Sequence, residues 1–187
     1  MTDQDAMAGQ EVTDTGIPVA VVNAFHQAYG EAMSSFGAVE SSLMMVVKAL
    51  MRPQDPMCAF NAFRSGMGFK AQLDMIAVLV ETVFEDEGVL ASWKSLKKRI
   101  EHIQQRRNTI AHMHVWHMNR YVPYGNTPRT QRIDLPIEWE DRRARPEVIT
   151  TQKLVEIKTA TIAVADAIYD FENDVERALR DDGTPSS

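Results

Sequence analysis

The sequence predicts an all-α protein, an up-down bundle of four long helices with an irregular or hairpin insert between helices three and four. Three observations carry that reading. Four long stretches repeat apolar residues at spacings of three and four. The first three stretches are joined by short turns, which favours antiparallel neighbours. Residues 119–149 hold Pro123, Pro128, Pro136 and Pro146 and so cannot continue a helix.

Residues 1–17 are polar and without periodicity, and are expected to form a disordered arm before Pro18, which suits a first helical turn. Helix one is predicted from residue 22 to about 51, with Phe25, Tyr29, Ala32, Phe36, Val39, Leu43, Val46 and Leu50 on one stripe. Gly30 and Gly37 lie a heptad apart on it and are read as permitting close helix packing. Residues 52–56, Arg-Pro-Gln-Asp-Pro, supply the stop.

Helix two follows with Phe60, Phe63, Met67, Leu73, Ile76, Ala77, Val80 and Phe84, kinked near residues 65–68 and ending at the acidic residues 85–88. Helix three carries the seam Trp93, Leu96, Ile100, Ile103, Arg107, Ile110 and His114, so two polar residues stand where the pattern asks for apolar ones. The insert can pair residues 120–122 with 132–135 around 124–127. The last helix repeats Leu154, Ile157, Thr161, Val164, Ile168, Phe171, Val175 and Ala178, with Thr150 or Thr151 as N-cap. The bundle thus spans 18–180, and 181–187 is expected to be a disordered tail.

A chain of 187 residues can bury a core of its own, and 44% hydrophobic with 25% charged residues excludes a wholly disordered chain. Cys58 is the only cysteine, which leaves no internal disulfide, and no basic and apolar leader opens the sequence, so a cytoplasmic location is expected. Apolar runs fall far short of the roughly 18 to 20 residues of a membrane span. The net charge of −6 is uneven: residues 94–145 hold twelve basic and five acidic side chains, a net +7 that leaves −13 elsewhere. Such a segment attracts a polyanion locally while the acidic remainder aids solubility. A scattered solvated surface is the competing account of the same charges.

The sharpest segment is Arg107-Asn108-Thr109-Ile110-Ala111-His112. Asn108 and His112 are four apart and share a helix face, with Arg107 beside it. An imidazole exchanges protons near neutral pH, a guanidinium holds phosphate oxygens bidentately, and an amide orients either one. Phosphodiester cleavage needs those abilities, whereas a solvated helix face or a salt-bridged interface is the plainer use of the same residues.

This segment resembles the motif of the HEPN superfamily of helical-bundle proteins, an arginine followed commonly by Asn, Asp or His and then, after four to six residues, a histidine. Arg107 and His112 match with four residues between them. Some branches carry a tyrosine two residues after the histidine, where this chain has His114. The resemblance implies a metal-independent endoribonuclease acting as a homodimer, with the motifs of two protomers forming one composite cleft. Arg107, His112 and Asn108 are then the catalytic residues, and Arg99, Arg106, His114 and Arg120 candidate RNA contacts. A role in defence or as a toxin, with an antitoxin or other partner protein, belongs to the same implication, and no cofactor or metal is required.

Two other readings stand beside it. His112, His114 and His117 suggest a metal site, although only His114 and His117 share a face and no carboxylate is close in sequence. A non-catalytic helical module would use the same bundle to bind a nucleotide or a partner protein. Tyr121, Tyr124 and Trp139 either stack on bases or pack the insert against the bundle. Walker loops, nucleophile elbows, paired-cysteine motifs and dinucleotide fingerprints are absent.

Overall fold

A computed structural model describes residues 18–65, 68–112 and 149–181. Among the described residues every element is an α-helix: α1 (Val19–Met51), α2 (Pro56–Arg64), α3 (Phe69–Val83), α4 (Glu87–Ala111) and α5 (Thr151–Asp181). The protein is all-α, with five helices among the described residues where four were expected. The arm expected at 1–17, the insert and hairpin expected at 119–149 and the tail expected at 181–187 lie outside the described residues, except for Ile149 and Asp181. α5 runs on through Asp181, which the sequence had placed in the tail.

The extra helix comes from residues 65–68. Ser65 caps α2, its hydroxyl donating to the Ala62 carbonyl at 2.8 Å. Gly68, in extended conformation, then opens α3, and its carbonyl accepts from Gln72 N at 3.1 Å. A C-cap and an N-cap within four residues end one helix and start another. The apolar periodicity runs through the break because Phe63 before it and Leu73 and Ile76 after it are all buried. The Gln72 amide, donating to the Phe63 carbonyl at 2.9 Å, ties the start of α3 to the end of α2.

The chain divides into two compact units, to both of which α1, α4 and α5 contribute. The larger holds residues 34–107 and 159–187. Its core is built from Phe36, Val39, Leu43, Val46 and Leu50 of α1, Phe63 of α2, Leu73, Ile76 and Val80 of α3, Trp93, Leu96, Ile100 and Ile103 of α4, and Val164, Ile168, Phe171 and Val175 of α5. Each large side chain buried this way contributes about 1.5–3 kcal/mol. Trp93 anchors it, its ring centroid 5.4 Å from that of Phe171.

The smaller unit holds residues 1–33 and 108–158. Its described core is Phe25, Ala28 and Ala32 of α1, Ile110 of α4, and Ile149, Leu154 and Ile157 at the start of α5. Thr150 is the N-cap of α5, its hydroxyl accepting from Lys153 N at 3.1 Å. An ion pair of 2.9 Å joins Lys158 to Glu31. The Lys158 ammonium, and then the Gln27 amide, hold the Glu31 carboxyl below its ordinary pKa.

Candidate functional site

α4 positions most of the candidate residues. Asp86 precedes its first residue, Glu87, and the Asp86 carboxylate accepts from Val89 N at 2.9 Å, satisfying one of the free N–H groups of the first turn. From there Trp93, Leu96, Ile100 and Ile103 are buried at spacings of three, four and three. The next seam position is Arg107, which is half-buried, and Ile110 after it is fully buried. A guanidinium at such a place keeps its stem along apolar surface and its head toward polar surroundings.

Asn108 and His112 are both exposed. His112 is the first residue beyond α4, and its backbone N–H donates to the Asn108 carbonyl at 3.1 Å. Helical register therefore continues through His112, which sets its side chain one turn above that of Asn108 on the same face. Arg107 is the preceding residue of the helix, about 100° round its axis from Asn108. The division of the chain falls between these two residues, with Arg107 in the larger unit and Asn108 and His112 in the smaller.

The predicted RNA contacts separate. Arg106 is half-buried and Arg99 exposed, both on α4 in the larger unit, while His114 and Arg120 lie outside the described residues. His102, which the sequence reading passed over, is exposed between the two arginines. Spacings of three and four put Arg99, His102 and Arg106 on one face, a signal readable from the sequence. Among the described residues, His102 and Arg106 have no ion-pair partner. Not all of the basic run is available in this way. Lys97 pairs with Asp74 at 2.6 Å, and its hydrogen bond holds that carboxyl below the usual range despite some desolvation.

Arg99 lines a groove of about 280 Å³ between α4 and α5 within the larger unit. Ser92, Ser95 and Leu96 line it from α4, and Ala167, Asp170, Phe171 and Asp174 from α5. The Arg99 guanidinium donates to the Ala163 carbonyl at 3.3 Å, which orients it and leaves other N–H groups for a ligand. A larger recess of about 660 Å³ runs along the polar face of α5, where Arg177 pairs with Asp174 at 3.0 Å. Among the described residues no group of three or more His, Cys, Asp and Glu side chains is placed to hold a metal ion. No described helix is long and apolar enough to cross a membrane.

Comparison of the chain with protein-family models, with curated proteins and with solved structures finds no match.

Proposed function

We propose that the protein is a metal-independent endoribonuclease of HEPN type, acting in defence or as a toxin. In this reading α1, the α2 and α3 pair, α4 and α5 form an up-down bundle with the insert between α4 and α5. Two copies bring their motifs together at a homodimer interface in one composite site. The observation that carries the reading is the helical register that persists to His112. It gives the motif a fixed spacing in which an exposed imidazole stands one turn above an exposed amide.

His112 takes the proton from a ribose 2′-hydroxyl as that oxygen attacks the adjacent phosphorus. The bond from phosphorus to the 5′-oxygen breaks, leaving a 2′,3′-cyclic phosphate on one fragment. The departing oxygen takes up a proton and leaves a 5′-hydroxyl on the other. Arg107 stabilises the charge that develops on the non-bridging oxygens. Asn108 orients the imidazole or the phosphate and does not react.

Overexpression in a bacterial host tests the reading. Growth arrest is expected from the wild type and relief from His112→Ala expressed at the same level, with cyclic phosphate ends accumulating only in the first case. Equal toxicity of the two proteins, or equal absence of cleaved ends, contradicts the reading.

A further inference from the structure

Opposite charges that line one groove ordinarily pair across it when they can reach each other. Arg99 and Asp170 line the groove between α4 and α5 in the larger unit, yet no ion pair joins them. Arg99 bonds a backbone carbonyl instead, and Asp170 has neither a hydrogen bond nor an ion pair among the described residues. The other carboxylate of the groove, Asp174, is already held by Arg177 at 3.0 Å. One cation and one anion are therefore left to a ligand that carries the complementary pair of groups: an anion for Arg99 and hydrogen-bond donors for Asp170.

Leu96 and Phe171, both nearly buried, give the lining its smaller apolar part, and Ser92 and Ser95 add neutral polar groups to the larger polar part. A base edge, which carries its own donors and acceptors, suits this mostly polar lining, and hydroxyls suit the edge of a ring or a sugar. We infer that this groove is a base-recognition subsite for one unpaired, amino-bearing nucleotide of an RNA strand, with Arg99 on its phosphate and Asp170 on its amino group. The inference rests on the ribonuclease reading only for the choice of RNA as the polymer.

The chemistry ranks the bases. Adenine, cytosine and guanine each present an exocyclic amino group that a carboxylate accepts from. Uracil offers a single ring N–H between two carbonyl oxygens, which a carboxylate repels. A volume of about 280 Å³ suits one base, and an unpaired base is the one free to present its edge to the groove. Arg99 also begins the Arg99, His102 and Arg106 face of α4, which continues along the helix toward Arg107 in the same unit.

The test is binding, read by fluorescence anisotropy with labelled twelve-nucleotide oligomers of A, C and U, in EDTA and in a His112→Ala background so that no strand is cut. The A and C oligomers are expected to bind roughly tenfold tighter than U. Asp170→Ala removes a negative charge and tightens all three, so the quantity that matters is the ratio, which should fall to about one. Asp166→Ala, one turn earlier on α5 and outside the groove, should leave the ratio unchanged. Arg99→Ala should weaken all three alike. Equal binding of the three oligomers, no binding of any, or a preference that survives Asp170→Ala overturns the inference. A base preference lost with Asp170 in a protein that never cuts RNA sustains the subsite and removes the ribonuclease reading. Cutting without any base preference does the reverse.

Discussion

His112 donates its backbone N–H to the backbone carbonyl of Asn108 at 3.1 Å, a helical bond that keeps the histidine of the motif in register with the asparagine one turn before it. Because both side chains are exposed, neither is needed for the core. His112→Ala should leave stability within about 0.5 kcal/mol of wild type. On the proposed ribonuclease reading it should lower kcat/KM for RNA cleavage roughly a hundred- to ten-thousandfold. Thermal unfolding beside a cleavage assay checks both halves, and a variant that unfolds early would remove His112 from the catalytic list.

Trp93 is 3% exposed and its indole N–H has no hydrogen-bond partner among the described residues. Trp93→Ala should cost about 3–5 kcal/mol, because a large ring leaves a cavity beside Phe171. Trp93→Phe should cost far less, since it loses some volume but also removes a buried donor that is itself unfavourable by about 1–3 kcal/mol. Urea denaturation of the two variants gives the comparison.

The seam that passes through Arg107 was legible in the sequence because spacings of three and four mark one helical face, and Trp93, Leu96, Ile100, Ile103 and Ile110 are buried as that pattern requires. The split of the second stretch into α2 and α3 was less legible, since Phe63 and Leu73 both reach the core and the caps that divide them are single polar and glycine residues. The groove at Arg99 could not be read at all, because Ser92 and Asp170 come together only when α4 and α5 pair in space. Glu172 was equally hidden, an acid in the midst of a helix whose neighbours Phe171 and Val175 are core residues.

Glu172 is 6% exposed on α5. Burial raises its carboxyl pKa, the nearby Glu176 adds to the rise, and Lys48 partly opposes it. A carboxyl whose folded pKa lies above its unfolded one favours the folded state fully below the unfolded pKa and loses that contribution as pH rises through the folded value. Glu172→Gln should therefore raise the melting temperature at pH 8 and give little or no gain at pH 3.5. Melting curves across that range check the sign. An equal gain at both values assigns the effect to packing instead.

Arg52 ends α1 with φ at 43°, a left-handed conformation that a side chain makes unfavourable, and its N–H still reaches the Lys48 carbonyl at 3.1 Å. Arg52→Gly should raise stability by about 0.5–1 kcal/mol, the relief of strain exceeding the added freedom of the unfolded chain. Arg52→Val should lower it by more than that, since a β-branched residue tolerates this conformation least. Chemical denaturation of the pair distinguishes backbone strain from loss of the arginine's charge, which both variants share.

The most direct measurement is cleavage of a mixed RNA pool in the presence of EDTA, comparing the wild type with an Arg107→Ala, His112→Ala double variant shown to be folded. Cutting by the wild type alone, with 2′,3′-cyclic phosphate ends, is the predicted result. Equal cutting by both proteins, or none by either, contradicts a metal-independent ribonuclease at Arg107 and His112.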